Sequence, residues 1–296
     1  MDPKVLVAVS VRILLVLVAC MVLLRLLENR FVFFPEKIPL NAPLSRIHGS
    51  TLEVEWLQTV DAVRLNGWLI TPQNTISPSG MTILYLHGNA GSLFDRIDRM
   101  EQLAAQGWRV FAVDYRGYGW SEGRPSEKGF YRDAASAYEF LVGQKHVDPR
   151  GLFFYGESLG TAVAIELAVA HPCAGLILEA PFTSFRDMGK ARLFFIPGFI
   201  YRFLSNEWNS IDRIQRLSMP KFIIHGDRDG VVPFEQGRLL FEAAPPPKTF
   251  YPIHGADHME CLERGGTELM KRLDAFFCEA HASAMRRSPV QVVPDL

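Results

Sequence analysis

Two serines in this chain stand between glycines at the spacing that can turn a hydroxyl into a nucleophile, Gly119-Trp120-Ser121-Glu122-Gly123 and Gly156-Glu157-Ser158-Leu159-Gly160. Such a run does chemistry only where a sharp strand-to-helix turn lifts the serine oxygen above a sheet. Leu152-Phe153-Phe154-Tyr155 reads as a buried strand directly before Gly156, and residues 161–168 read as a helix directly after Gly160. Ser158 therefore fits a nucleophile elbow. Ser121 lies between Arg116-Gly117-Tyr118-Gly119 and Gly123-Arg124-Pro125, a loop with no helix to aim it. It reads as a structural residue.

A serine hydroxyl is a weak nucleophile until a base takes its proton, and histidine titrates close enough to neutrality to do so. The chain has eight histidines. His258, in Ile253-His254-Gly255-Ala256-Asp257-His258-Met259, follows the last predicted strand, Thr249-Phe250-Tyr251. A loop at that end of an open parallel sheet can reach the elbow. His254 is its local rival. His87 and His225 end strands and are expected to support backbone near the site. His48, His146, His171 and His281 lie in connectors or at helix ends, where solvated surface is expected. The base needs an acid to hold its tautomer, and elbows of this kind order the chain as serine, acid, histidine. Glu179, Asp187, Asp227 and Asp229 satisfy that order. Asp229 lies just past the buried run Phe222-Ile223-Ile224, beside the His258 loop, and is the expected acid. Asp227 is expected to pair with Arg228 or cap the turn, and Asp114 to pair with Arg116. Two aimed N–H groups must hold a developing oxyanion. One is that of Leu159. The other comes from His87-Gly88-Asn89-Ala90-Gly91-Ser92, where Asn89 is preferred over Ala90. A phosphate cradle is the weaker reading of that loop, because no GKS/T or GxGxxG follows.

The elements that must position these residues follow from the apolar pattern. Residues 52–56 and 63–70 alternate, as strands with one wet face do. Short continuous apolar runs follow at 82–86, 110–113, 152–155, 175–178 and 222–224, as in strands buried on both faces. Helical segments alternate with them near 94–106, 129–145, 159–171, 234–243 and 266–281. The expectation is an α/β fold, a mainly parallel twisted sheet with helices on both faces and an antiparallel edge.

Taken together, the residues resemble the α/β-hydrolase superfamily. His87-Gly88-Asn89-Ala90-Gly91, Asp114-Tyr115-Arg116-Gly117-Tyr118-Gly119, Gly156-Glu157-Ser158-Leu159-Gly160, His225-Gly226-Asp227-Arg228-Asp229 and Gly255-Ala256-Asp257-His258 occur in that family's order. Within it the chain is similar to the branch of membrane-associated protein depalmitoylases and related bacterial hydrolases, which also shows an apolar N-terminus followed by a run like Phe31-Val32-Phe33-Phe34-Pro35. The resemblance implies a serine hydrolase that cleaves acyl esters or thioesters without a cofactor, on a small-molecule or lipid-like acyl substrate or an acylated protein. A serine peptidase of the same fold, or a non-catalytic membrane-tethered binding protein, are the alternatives. Asp257 departs from the pattern, since relatives usually have glycine before the histidine. It could alter the field at the base or simply face water.

Composition narrows the remaining classes. Lys+Arg at 31 against Asp+Glu at 32 gives a net charge of -1, unsuited to neutralising a nucleic-acid backbone. Cys20, Cys173, Cys261 and Cys278 form no CxxC pair and suggest neither a disulfide scaffold nor a metal site. Residues 5–27 are apolar apart from Ser10, Arg12 and Arg25. As a helix they measure about 34 Å against a bilayer core of about 30 Å, so a single-pass transmembrane signal anchor is expected. Basic residues on its two flanks nearly balance, so the side of the membrane is not indicated. The expected organisation is this anchor, a connector over 28–50, a hydrolase domain over 51–282 and a disordered tail over 283–296. A small cap insertion is expected about 181–217. Its run 193–204 carries five aromatics, which suits an apolar lid over an acyl pocket or a helix buried on the sheet.

Overall fold

The computed structural model describes residues 3–44, 47–73, 80–192 and 206–286. The chain begins with α1 (Pro3–Val32), β1 (Phe34–Pro35), β2 (Ser50–Gln58), β3 (Arg64–Pro72), β4 (Thr82–Leu86) and β5 (Ala90–Gly91). It continues through α2 (Ile97–Ala104), β6 (Arg109–Val113), α3 (Glu127–Glu139), β7 (Leu152–Glu157), α4 (Leu159–Ala170) and β8 (Gly175–Glu179). It closes with α5 (Phe185–Arg192), α6 (Ser210–Ile214), β9 (Lys221–Gly226), α7 (Phe234–Ala243), β10 (Lys248–Ile253) and α8 (Cys261–Met285).

Eight strands make one sheet in the order β10-β9-β8-β7-β4-β6-β3-β2. The six from β10 to β6 run parallel, and β3 and β2 add the antiparallel edge. Parallel neighbours need long crossovers, and the helices supply them. α3, α4, α6 and α7 pack on one face, α2 and α8 on the other. Every residue of β4, β7, β8 and β9 is buried, which is why these strands read as continuous apolar runs. α4 is apolar all round and buried from Leu159 to Ala168 except at Glu166. It is thereby fixed on the sheet directly behind Ser158.

Some expectations need correction. Of the two strands expected to have a wet face, only β2 has one. Leu65, Asn66, Gly67, Trp68, Leu69 and Ile70 of β3 are all buried, because β3 lies between β2 and β6 with both faces covered. α8 begins at Cys261, ahead of the expected 266, with a kink at Gly266 (φ 47°). It ends at Met285, past the expected start of the tail, and residues 287–296 lie outside the described residues. Of the expected cap, α5 and α6 are described, while the aromatic run 193–204 lies outside the described residues.

α1 forms as one helix of 30 residues and continues to Val32, so the connector expected from residue 28 begins only after it. Among the described residues no helix is long and apolar enough to cross a membrane. In α1 the charges of Arg12 and Arg25 confine the uncharged run to residues 13–24. At about 1.5 Å per residue that run measures about 18 Å, short of a hydrocarbon core of about 30 Å. The single-pass crossing expected from the sequence is therefore not shown.

Candidate active site

β7 ends at Glu157 and α4 begins at Leu159, so Ser158 occupies the turn between them with φ 52° and ψ −116°. That conformation is costly for a residue with a side chain and persists only where the surroundings impose it. Two glycines allow it. A Cβ on Gly156 would lie 2.5 Å from the Gly160 carbonyl, and one on Gly160 would run into the Leu86 carbonyl. The turn is also tied to the next strand, where Ser158 N–H donates to Glu179 O at 2.9 Å.

His258 and Asp229 approach this serine from two neighbouring loops. His258 Nε2 is 2.9 Å from Ser158 Oγ, and His258 Nδ1 is 2.7 Å from Asp229 Oδ2. A carboxylate only accepts, so Nδ1 carries the proton and Nε2 is left to accept the serine hydroxyl. The Asp229 side chain is fully buried, and that of His258 is 11% exposed. Burial opposes the charge on Asp229, but hydrogen bonds from His225 and His258 and from the Val232 N–H hold its carboxyl well below the usual range. Val231 and Val232 N–H groups donate to its Oδ1 at 2.8 and 2.7 Å. These distances and this burial are what a nucleophile, a base and an orienting acid would require.

Leu159 is the first residue of α4, so its N–H has no acceptor within the helix and lies next to the serine. Asn89 lies in the loop after β4. Its Nδ2 donates to Val32 O at 2.6 Å, and Tyr118 OH donates to its carbonyl at 2.6 Å. Asn89, Ser158 and His258 line one cleft of about 520 Å³, with Phe34, Val231 and Met259 among the other walls.

Several side chains here escaped the sequence reading. Below the elbow, Glu157 and Glu179 are buried with Arg96 and Arg99. Arg96 Nε reaches Glu157 at 3.1 Å, Arg99 Nε reaches it at 3.3 Å, and Tyr85 OH donates to it as well. Arg99 Nη2 donates to Glu179 at 2.6 Å and Nη1 to Met259 O at 3.0 Å, beside His258. Burial opposes the charge on Glu157, but Arg99 and Arg96 hold its carboxyl below the ordinary value. A signal was available, since Arg96, which caps α2, stands four and seven residues before the buried Met100 and Leu103, and Arg99 four before Leu103. Asp257 is exposed to water, the second of the alternatives offered for it, and also bonds to backbone. Its Oδ1 accepts the Gly230 and His258 N–H groups, both at 2.7 Å, and so joins the acid-bearing turn to the base-bearing one.

The remaining candidates fall elsewhere. Ser121 is fully buried, accepts Asn66 N–H at 2.9 Å and donates to Asp114 O at 2.6 Å. Arg116 does not pair with Asp114 as expected. It is taken by Asp61 at 2.8 Å and Asp133 at 2.8 Å, while Asp114 Oδ1 accepts Leu93 N–H at 2.9 Å. Asp227 binds His254 and the Gly255 N–H, not Arg228, so it caps the turn. That leaves His254 with a side chain 86% exposed, bonded away from Ser158. Glu179 is held by Arg99 and Tyr155, and Asp187 by Thr183, Ser184 and Lys190. His87 donates to Gly88 O at 2.8 Å, and His225 to Val232 O at 3.0 Å, each supporting backbone near the site. His48 and His146 are exposed, whereas His171 packs half-buried on Tyr138 and His281 bonds Arg150 O.

Comparison with known proteins agrees with this architecture. A family model described as serine aminopeptidase, S33, matches residues 78–211. An uncharacterised protein of Mycobacterium tuberculosis is 35% identical over 85% of this chain and 88% of its own length. The alpha/beta hydrolase domain-containing protein WAV2 of Arabidopsis thaliana is 33% identical over 78% of this chain and 80% of its own. The lysophosphatidylserine lipase ABHD12 of Danio rerio is 32% identical over 74% of this chain, which spans 65% of that longer protein. In fold, the Pyrococcus furiosus esterase Pf2001 superposes with a TM-score of 0.65 at 23% identity, over 83% of this chain and 98% of its own.

Proposed function

This chain is a hydrolase of the α/β-hydrolase family, and from that premise we propose that it cleaves acyl esters or thioesters with Ser158 as nucleophile, His258 as base and Asp229 as orienting acid. The observation that carries the reading is the unbroken hydrogen-bonded run Ser158–His258–Asp229 at 2.9 and 2.7 Å. His258 Nε2 takes the hydroxyl proton as Ser158 Oγ bonds to the acyl carbon. The Leu159 and Asn89 N–H groups hold the oxyanion. The tetrahedral centre collapses, the bond to the leaving oxygen or sulfur breaks, and His258 returns the proton to it. Water then repeats the sequence on the acyl-enzyme, giving up a proton to His258 and releasing the carboxylic acid and Ser158.

We further propose lipophilic acyl substrates met at a lipid surface. Two features support this. Phe34, Val231 and Met259 wall the cleft and are 59%, 53% and 42% exposed. α1 exposes Val7, Ile13, Leu15 and Val16 at 56–63%, a large apolar surface to leave in water. The similarity to a lysophosphatidylserine lipase makes a lysophospholipid the first substrate to try. The family model's description keeps an amide substrate as the second reading, with the same residues in the same roles.

The test is labelling with a serine-directed fluorophosphonate together with ester hydrolysis. Ser158→Ala is expected to lose both. Ser121→Ala strands the Asn66 N–H and the Asp114 carbonyl, and should cost about 1–3 kcal/mol of stability while its folded fraction still labels. A labelled, active Ser158→Ala would reject the reading and the non-catalytic alternative alike, and a wild-type chain that neither labels nor hydrolyses any ester, thioester or amide would favour the binding protein.

A further inference from the structure

The loop that carries Asn89 is glycine-flanked, with Gly88 before it and Gly91 at φ 79°, so its own backbone does little to hold a direction. An oxyanion donor is effective only if it is aimed before the reaction begins. Arg96 Nη2 donates to Ala90 O at 3.1 Å, and the rest of what holds this loop comes from Tyr118 and from the N-terminal segment. Asn89 Nδ2 donates to Val32 O at 2.6 Å, across 57 residues of chain. On the other side, Tyr118 OH donates to Asn89 O at 2.6 Å and is 3.1 Å from Asn89 Oδ1. Next to this, β1 pairs in parallel with β5, joining Phe34 to Ala90 and Pro35 to Gly91. Glu36 N–H donates to Gly91 O at 3.2 Å, and Gly119 N–H to Glu36 O at 2.7 Å.

The Val32 end is itself fixed. Val32 and Phe33 are 8% and 3% exposed, with the Phe33 ring 5.1 Å from Phe130 and 6.2 Å from Trp208. One turn earlier Glu28, 3% exposed, accepts the Asn206 N–H at 2.9 Å and its Nδ2 at 2.6 Å. The stretch from Glu28 to Glu36 is thus anchored on the hydrolase domain through Glu28, Val32 and Phe33, and touches the Asn89 loop directly.

We propose that the Asn89 side chain, held between the Val32 carbonyl and the Tyr118 hydroxyl, is a positioning residue that makes the N-terminal segment part of the oxyanion hole. This rests on the reading above, in which the Asn89 N–H stabilises the oxyanion. Replacing the side chain keeps that N–H and removes only its fixation. The loss therefore belongs to the transition state, not to substrate binding.

The full-length chain tests this with p-nitrophenyl butyrate and butylboronic acid. Boron accepts Ser158 Oγ, and the resulting tetrahedral anion imitates the reaction's charge. Asn89→Ala and Tyr118→Phe are expected to lower kcat about 10- to 100-fold, with KM within about twofold and boronate affinity weakened by the same factor as kcat. Unchanged kcat, or a loss confined to KM with unchanged boronate affinity, would overturn the proposal. Should Asn89→Ala fail to fold, Tyr118→Phe, which removes one hydroxyl, decides alone. Ser158→Ala keeps the two questions apart. If it is inactive while both clamp variants behave as wild type, the clamp is wrong and the serine reading stands; if it is active, the reading itself falls.

Discussion

Asp227 and Asp229 are two positions apart and separated by their surroundings. Asp229 is buried and turned inward, with both oxygens engaged by His258, His225 and the Val231 and Val232 N–H groups. Asp227 faces His254 at the surface. Asp229→Asn should lower kcat on the order of 10⁴-fold, because an amide in its place favours the wrong imidazole tautomer. Asp227→Asn should cost no more than a few-fold. The reverse ranking in a steady-state ester assay would move the acid to Asp227. At this scale the grouping was legible: local context and chain order picked out Ser158, Asp229 and His258, and the structure brings these three side chains within hydrogen-bonding distance. Asp257 did not, because its partners are the backbone N–H groups of Gly230 and His258, and side-chain identity does not encode those. Arg116 was assigned to the wrong carboxylate for a related reason. Asp114 is near in sequence, but the fold turns it toward Leu93 N–H and brings Asp61, 55 positions away, onto the guanidinium.

At the scale of elements, helix α2 does more than cover the sheet. Arg99 extends from it to Glu157 at the end of β7, Glu179 at the end of β8 and Met259 O after His258. Its side chain is only 13% exposed. Arg99→Ala would leave two buried carboxylates short of their shared cation, and urea unfolding should show a loss of about 3–5 kcal/mol. A loss within error would mean that Arg96, Tyr85 and Tyr155 suffice. The turn after β6 offers a second measurement. Burial, only partly offset by the Leu93 N–H, Lys37 and the Trp120 N–H, raises the Asp114 carboxyl from 3.8 to about 7, with Asp95 adding to the rise. Between those values the folded chain keeps a proton that the unfolded chain has lost, so this group makes stability fall as pH rises through that window. Asp114→Asn should therefore gain stability over the wild type from pH 4 to 7, with the difference constant above. His87 acts in the opposite sense, since burial and then Arg96 lower it to about 4, so the difference between the two proteins is the quantity to read. A difference that does not change with pH would show that Asp114 ionises normally. The parallel strands were legible as elements because burial on both faces leaves a continuous apolar run. β3 was legible as a strand but not as a buried one, because Asn66 and Gly67 interrupt its apolar run and imitate the alternation of a wet strand.

At the scale of the whole molecule, α1 joins an apolar exterior to the reaction cleft. Its N-terminal part carries exposed valines and leucines, and its last turn holds Glu28 on Asn206 and Val32 on Asn89. The sequence showed the apolar run but not where it stops being an appendage, because that depends on Asn206 and Asn89, both remote in the chain. The boundary follows from these contacts. Removing residues 1–26 takes away the exposed apolar surface and leaves Glu28, Val32, Phe33 and β1 in place. Removing residues 1–37 takes the clamp as well. The full-length chain should stay with carbonate-washed membranes. The shorter deletion should be recovered in the soluble fraction with kcat on p-nitrophenyl butyrate unchanged. The longer deletion should be soluble and at least about tenfold slower, the penalty of a misplaced donor loop. Recovery of the full-length chain in the soluble fraction would remove the lipid surface from the proposed function. Membrane retention of the shorter deletion would move the attachment from α1 to the exposed rim of Phe34, Val231 and Met259, which both deletions can then separate because only the longer one removes Phe34.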